Sequence, residues 1–312
     1  MKKIIKTDRL YLREFVMDDA FHLYKMNSDP EVLHYTGDEP FRSEEAAAHF
    51  IQDYDFYTKH NMGRWAMIHN EDDTFLGWCG LKYHKEERIV EVGYRLYQKY
   101  WGKGYATEAA KAAIKYGFEK LRLKVIYAHV HVANKASHRV AQKAGLSFVK
   151  DFVYDGKPAK LYHITNPHYS LKEIDAQEAY KVRHPVLRKG KPIEACKFDE
   201  DRDISTLHMG MYFKNDLVGV VTFTENSHPL FKETLQFQLR GMAVLEAYRN
   251  KRIGEHLVSH GETVLNKRGV TRIWLNARKN ATAFYKRLDY VICSKEFEVP
   301  IFGPHFQMTK KI

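Results

Sequence analysis

Gln98–Leu121 reads QKYWGKGYATEAAKAAIKYGFEKL. Two glycines, Gly102 and Gly104, open a stretch that turns rich in Ala and Lys, with apolar residues at helical spacing through Phe118. Just before it, Ile89–Leu96 (IVEVGYRL) has the β-branched character of a strand. A strand that ends, glycines free to take unusual backbone angles, and a helix that starts there together make a seat for an anion. The first N–H groups of a helix lack partners, and the helix dipole favours negative charge at that end. Gly102 and Gly104 would let a pyrophosphate approach the backbone, and Lys99 and Lys103 add positive charge. The loop is not a Walker loop, because GxxxxGK with a following Ser or Thr is absent. A Rossmann site is disfavoured too, since the loop follows several hairpin-linked strands instead of opening a βαβ unit.

Working upstream, Arg9–Phe15 alternates as a strand, Asp18 and Asp19 can cap a short helix, and Ser43 starts a second helix toward Tyr57. Strands are expected at Arg64–His69 and Phe75–Tyr83, with the charged turn Lys85–Arg88 leading into Ile89–Leu96. Downstream come a strand at Val125–Val132, a helix at Asn134–Ala144 ended by Gly145, and strands at Phe148–Tyr154 and Leu161–Thr165. The second half repeats this order: strands at Met209–Phe213, Leu217–Phe223 and Leu235–Val244, a basic loop entering a helix (YRNKRIGEHLVSHGETVL), a strand at Ile273–Ala277 and a helix at Ala281–Leu288. Gly104 and Gly254 are expected at equivalent places 150 residues apart, so the chain reads as a duplicated domain. The boundary is expected near Pro167–Asp175.

The composition agrees with two ordinary globular domains: 312 residues, 44% hydrophobic and 29% charged. The net charge of +11 divides into +5 over residues 1–172 and +6 over 173–312, with no run of five like charges. So diffuse an excess suits a phosphorylated ligand, and nucleic acid is not expected as a partner. Cys79, Cys196 and Cys293 lie more than ninety residues apart with no CxxC pair, which excludes a disulfide framework and a cysteine-built zinc site. No apolar run approaches the ~18–20 residues of a membrane span, and the basic N-terminus lacks the apolar stretch of a signal peptide. A cytoplasmic protein with no membrane partner is expected. His129 and His131 alternate along one strand, but no third ligand stands at metal spacing, so no metal is expected. The aromatic run Tyr54, Phe56, Tyr57 reads as core packing, with the border of an acceptor pocket as the other option.

YWGKGYATEA, preceded by EVGYRL and followed by NKASHRVAQKAGLSF, resembles the GCN5-related N-acetyltransferases (GNAT). Together with TDRLYLREF, it is most similar to the branch that holds the ribosomal-protein N-terminal acetyltransferases, over roughly residues 6–165. RGMAVLEAYRNKRIGEHLV, LNARKNATAFYKRLDY and IFGPHFQM resemble a different GNAT branch over about 180–312. The resemblance implies an α/β fold of two tandem domains, 1–170 and 175–312, each a mixed, mostly antiparallel sheet flanked by helices. It also implies acetyl-CoA (coenzyme A) as cofactor, with its pyrophosphate on the loop amides and its pantetheine arm between two splayed strands.

Cofactor contacts then fall on Leu96, Lys99, Trp101, Gly102, Lys103, Gly104, Tyr105, Ala106, Asn134 and Arg139 in the first half. In the second they fall on Met242, Ala243, Val244, Arg249, Asn250, Lys251, Arg252, Ile253, Gly254 and Asn276, with Arg252 where the common pattern has its first glycine. The implied activity is transfer of acetyl to a primary amine, a protein N-terminus or a small molecule, by direct attack in a ternary complex. Such transfer needs a base for the ammonium, donors for the oxyanion and a proton for the thiolate. Glu91 matches the family's strand glutamate as base, Ser137 can serve the thiolate, and Tyr285 is the corresponding acid of the second half. Ala141 stands where many members keep a tyrosine, and the second half has no strand carboxylate; Glu225, Glu233 or His305 are its candidate bases. The alternatives are a non-catalytic acetyl-CoA-binding protein, or one active and one degenerate domain.

Overall fold

Alternation along the central strands sorts the first half into two layers on one sheet. Its strands are β1 (Lys3–Lys6) and β2 (Leu10–Arg13), then, after the short helices α1 (Asp19–Asn27), α2 (Pro30–Leu33), α3 (Glu44–Gln52) and α4 (Phe56–His60), β3 (Arg64–His69), β4 (Phe75–His84) and β5 (Ile89–Leu96). Helix α5 (Tyr105–Glu119), β6 (Val125–His131), α6 (Lys135–Lys143), β7 (Ser147–Tyr154) and β8 (Lys157–Thr165) complete it. The sheet order is β1-β2-β3-β4-β5-β6-β8-β7, antiparallel throughout except for β5 and β6. Cys79, Leu81, Val92, Ile126 and Ala128 face α5, whose Ala109, Ala110 and Ala113 let the helix lie close. Gly117 is required there: a Cβ would come within 2.7 Å of the Ile126 Cδ1. Tyr11, Ala66, Ile68 and Trp78 cover the other layer with Leu23 and Met26 of α1 and Ala47 of α3.

The computed structural model describes residues 3–312, in two units, one running to Asn166 and the other from Pro167. The second unit contains β9 (Tyr169–Glu173), α7 (Ala176–Leu187), β10 (Leu207–Phe213), β11 (Asp216–Glu225), β12 (Gln236–Val244), α8 (Ile253–Lys267), β13 (Arg272–Arg278), α9 (Thr282–Lys286), β14 (Val291–Ile292), β15 (Phe297–Val299) and β16 (Gly303–Lys311). Its sheet runs β14-β16-β13-β12-β11-β10-β9, with β15 also on β16, and only β12 and β13 are parallel. The polar stretch around the boundary is itself an edge strand: Tyr169 packs into the second core, and β9 pairs with β10 from Tyr169 to Glu173. Among the described residues no helix is long and apolar enough to cross a membrane.

Three local expectations change. Asp18 sits at the N-cap of α1 but makes no capping bond; the buried Asp19 instead accepts from Val16 N and pairs with Arg13 at 2.6 Å. Ser43 does cap α3, accepting from Ala46 N, but the helix stops at Gln52. Tyr54 and Tyr57 therefore belong to a turn and to α4, and their hydroxyls take the two main-chain groups of Arg64: Arg64 N donates to Tyr54 at 2.8 Å, and Tyr57 donates to Arg64 O at 2.5 Å.

The second unit holds a buried polar group of its own. Arg183 of α7, 1% exposed, bonds both carboxylate oxygens of Asp201 at 3.0 Å and also Thr222, which is bonded to His208 at 2.7 Å. Burial pushes the Arg183 guanidinium down from its ordinary value, and Asp201 offsets this. Removing one member of such a pair leaves an uncompensated charge. Asp201→Asn is thus expected to destabilise the second unit by about 3–5 kcal/mol. Hydrogen exchange should quicken in α7, β10, β11 and β12 and stay unchanged in the first unit; uniform quickening, or none, would contradict this.

Candidate active site

The first loop has the geometry its glycines allow. After Leu96 and one tight turn at Gln98–Tyr100, Gly102 (φ 73°) and Gly104 (φ 84°) both take left-handed conformations. Gly104 caps α5, and the first bond of the helix runs from Glu108 N to Gly104 O at 3.1 Å. The N–H groups of Tyr105, Ala106 and Thr107 therefore have no carbonyl within the helix. A Cβ on Gly102 would meet nothing within 4 Å, so the loop is an open cradle on that side. Arg9 fixes it from β2's leading edge: it donates to Lys103 O at 3.0 Å, pairs with Glu108 at 2.7 Å and stacks on Tyr105. Nothing in the sequence pattern marked Arg9 for this.

Strands β5 and β6 share one bridge, Glu91↔Tyr127, and beyond it they part. A cavity of about 1250 Å³ opens at that divergence. Of the residues expected at the cofactor or reaction centre, Glu91, Leu96, Trp101, Gly102, Gly104, Tyr105, Ala106, Asn134, Ser137 and Arg139 all lie on its wall. Lys99 and Lys103 do not; their ammonium groups stand over the Tyr100 ring at 5.0 and 5.6 Å. The cavity thus joins a phosphate-sized cradle at a helix N-terminus to a cleft between strands, the shape a nucleotide with a long arm requires.

At the bottom of the cleft Glu91 is held by two imidazoles. His84 Nε2 lies 2.7 Å from one carboxylate oxygen and His129 Nδ1 lies 3.5 Å from the other. Burial would raise the Glu91 carboxyl, but the His84 hydrogen bond and the charges of His129, His84 and Arg64 outweigh it and hold the group below its ordinary value. Burial pushes His129 down. The sequence paired His129 with His131 and showed no third ligand; the structure instead groups His129 with His84 and Glu91, whose donor atoms lie within 4.8 Å of one another. His131 stays apart, packed on Tyr35 at 5.2 Å between ring centres.

Asn134 caps α6 by accepting from Ser137 N at 3.0 Å, which places Ser137 in the first turn of the helix. The Ser137 hydroxyl is 2.8 Å from the phenol of Tyr94, a β5 residue that also lines the cavity. Burial drives the Tyr94 phenol well above its ordinary range, so it stays protonated. Sequence reasoning missed Tyr94 because a strand tyrosine carries no spacing signal. Ala141, by contrast, is buried in the core.

Strand register supplies the equivalences in the second unit. Gly77↔Leu96 in the first sheet corresponds to Gly219↔Val244 in the second, so Lys82↔Glu91 corresponds to Thr224↔Gln238. A neutral Gln238, bonded to Asn226, therefore occupies the place of Glu91. β12 and β13 pair only from Gln236 to Gln238 and then part. Met242, Ala243 and Val244 end β12, and the loop runs through Arg249, Asn250, Lys251 and Arg252 into Ile253 of α8. Arg252, not Gly254, caps the helix as Gly104 does, and Asn250 (φ 60°) and Arg252 (φ 59°) take the left-handed angles of Gly102 and Gly104. The expected Gly104–Gly254 equivalence is thus off by two: Gly254 lies inside α8 at the place of Ala106, against the Phe284 ring and the Met242 sulfur. Arg252 likewise holds the second glycine's place and Asn250 the first.

Asn276 is exposed on β13, opposite Gln307, whereas Arg278 precedes the next helical turn as Asn134 does. Tyr285 corresponds to Ala141, since Tyr290 N bonds Tyr285 O as Leu146 N bonds Ala141 O. It is buried in the second core, and burial raises its phenol far above the ordinary range. Glu225 and Glu233 lie at the paired end of β12: Glu225 is opposite Phe237, and Glu233 is bonded to Arg272 at 2.6 Å. His305 is across from Arg278 at the parted end.

Residues 9–147 match a family model described as an acetyltransferase (GNAT) domain, and residues 168–290 match one described as the acetyltransferase (GNAT) family. The chain is 34% identical to the uncharacterized N-acetyltransferase YitI of Bacillus subtilis (strain 168) over 142 residues, 46% of this chain and 95% of that protein. It is 25% identical to the spermidine N(1)-acetyltransferase of Escherichia coli (strain K12) over 154 residues, 46% of this chain and 76% of that one. A GNAT-family acetyltransferase structure from Bacillus anthracis covers 52% of the chain, with 98% of its own chain matched, at 27% identity and TM-score 0.46. The chain belongs to the GNAT acetyltransferases, with two such domains in tandem, and its acetyl donor is acetyl-CoA.

Proposed function

We propose that the first domain, about residues 1–170, acetylates a primary amine by direct attack on acetyl-CoA, and that the second, about 175–312, retains a cofactor seat but not this chemistry. The observation that carries the reading is Glu91: a buried carboxylate, clamped by two imidazoles, at the point where β5 and β6 part. The N–H groups of Tyr105, Ala106 and Thr107 would take the pyrophosphate, with Trp101, Gly102, Asn134 and Arg139 around it. The bound thioester supplies the acetyl group. Glu91 takes the proton of the incoming amine, the new C–N bond forms as the C–S bond breaks, and the Ser137–Tyr94 pair returns a proton to the sulfur. Tyr94 thus stands in for the tyrosine that Ala141 lacks. Either a protein N-terminus or a small amine fits this chemistry; the named activity of the spermidine N(1)-acetyltransferase relative supports a small amine.

For the second domain, Gln238 at the base position supports a lost acceptor site. Should transfer persist there, Tyr285, protonated by burial, would be its acid and His305 its base.

The direct test is release of CoA thiol by the purified chain with a panel of amines. Turnover that needs the amine and falls with first-domain variants is the expected result; amine-independent hydrolysis alone, or no turnover, would overturn it. Tyr94→Phe should lower kcat about 100-fold, the low end for a positioned proton donor, with little change in acetyl-CoA affinity. A loss confined to KM would instead make Tyr94 a packing residue.

A further inference from the structure

The first domain's cavity carries two cations on its wall, Arg64 and Lys82. Strand pairing places Arg64 opposite Gly80, Gly80 opposite Gly93, and Lys82 opposite Glu91, so all five share one face of the sheet. Gly93 leaves room there, since a Cβ on it would meet only the Trp78 ring, at 3.5 Å, whereas Gly80 is packed against the backbone of Gly63 and Arg64. Arg64 lies over that ring at 4.4 Å from its centre, and Lys82 is its diagonal neighbour. Both line the cavity, both are half-buried, and among the described residues neither has an acidic partner. Lys82 is directly across from Glu91, yet Glu91 is engaged by His84 and His129 instead.

Other acids on the wall are occupied or displaced. Asp38 bonds Arg95 at 2.5 Å, and Asp155 stands with Lys157 beside Gly37. Arg64 is also held in place from behind, since Tyr54 and Tyr57 take its main-chain N–H and carbonyl. Burial and the Arg64 charge lower the Lys82 ammonium from its ordinary value, against the opposing pull of Glu91, Asp38 and Glu87. In the second domain the same register positions are His208 and Thr224, so the cation pair is particular to the first.

We infer that the acceptor is an amino acid, seated with its carboxylate on Arg64 and Lys82 and its amino group toward Glu91. Two cations and a carboxylate around the open space at Gly93 complement a zwitterion of that size. A polyamine would set its own positive charges against Arg64 and Lys82. The inference rests on reading the first domain as an acetyltransferase site and narrows its acceptor.

The test uses matched pairs that differ only by a carboxylate: L-phenylalanine against phenethylamine, and L-leucine against isopentylamine. Each is titrated calorimetrically into the full chain loaded with CoA, and each is assayed for thiol release with acetyl-CoA. The carboxylate-bearing member is expected to bind about tenfold more tightly, as charge-assisted bonds to a guanidinium and an ammonium allow. That preference should fall toward unity in Arg64→Gln and in Lys82→Met, with the change in turnover appearing in KM. Equal affinity within each pair, no binding of either member, or a preference that survives both variants would overturn the inference. Preferential binding without thiol release would leave the anion seat standing while removing the proposed transfer. Thiol release without preference would do the reverse.

Discussion

Glu91→Gln should lower kcat for amine acetylation by about 10²–10³ at pH 7, within the range for a positioned general base. Acetyl-CoA affinity should barely move, because Glu91 is outside the loop and its carboxylate is held by His84 and His129. The pH dependence makes the assignment specific. His84, His129 and Arg64 hold the Glu91 carboxyl below its ordinary value, so it is ionised across the neutral range and loses its base form only well into acid. A free amine near pH 7 is almost wholly protonated, and the wild-type base removes that proton. In the variant the acceptor must arrive already deprotonated. The deficit relative to wild type should therefore shrink as pH rises toward the amine's own pKa. A deficit constant with pH would reassign Glu91 to packing, and an unchanged rate would remove it from the mechanism. Substitution by Gln keeps the shape and an acceptor oxygen for His84, so loss of fold is not the expected explanation. The second domain offers a natural comparison, since its register already places Gln238 at this position.

What could be read in the sequence was local. The loop was legible because its glycine pair stands between a strand and an amphipathic helix, and Ser43 announced its cap by residue type. The site's chemistry was less so, because it is assembled across strands. His84 and Glu91 flank one hairpin; counting outward from the Lys85–Arg88 turn pairs His84 with Ile89 and Lys82 with Glu91, so the register contained that signal. His129 arrives from β6 through a single bridge, which no local pattern specifies.

The second loop was misaligned for a physical reason. Glycine was taken as the marker of the left-handed angle, whereas Asn250 and Arg252 adopt it themselves and Gly254 serves close packing against Phe284. Asn tolerates that angle well; Arg there bears strain of about 1 kcal/mol. Arg183 was invisible as a site feature because a helix arginine reads as solvent-facing until its carboxylate, Asp201, is found in a distant turn.

Gly104→Asp should abolish acetyl-CoA binding to the first domain, raising its Kd at least about 100-fold. The backbone is not the main cause. Asp reaches the left-handed region more readily than most residues, and at a helix N-cap it stabilises the helix through the N–H groups of the first turn. Those are the N–H groups of Ala106 and Thr107 that the pyrophosphate would use, so the side chain fills the seat with the protein's own anion. Arg9, whose Nη2 lies 3.4 Å from where the new Cβ would stand, would close over it. The fold therefore survives while the ligand is excluded by charge. Gly104→Ala separates the two effects: it brings only the strain of a left-handed alanine, about 1 kcal/mol, and should weaken binding about fivefold. Equal losses in Ala and Asp would show that backbone geometry, not charge, governs the seat. Full affinity in Gly104→Asp would mean the loop does not hold phosphate at all. Because Arg252 is the true counterpart of Gly104, Arg252→Asp is the matching change in the second domain. Calorimetry that shows two sites in the wild-type chain, one lost in each variant, would establish that the second domain kept its cofactor after Gln238 replaced the base. A single site, lost only with Gly104→Asp, would show that the second domain gave up cofactor and base together.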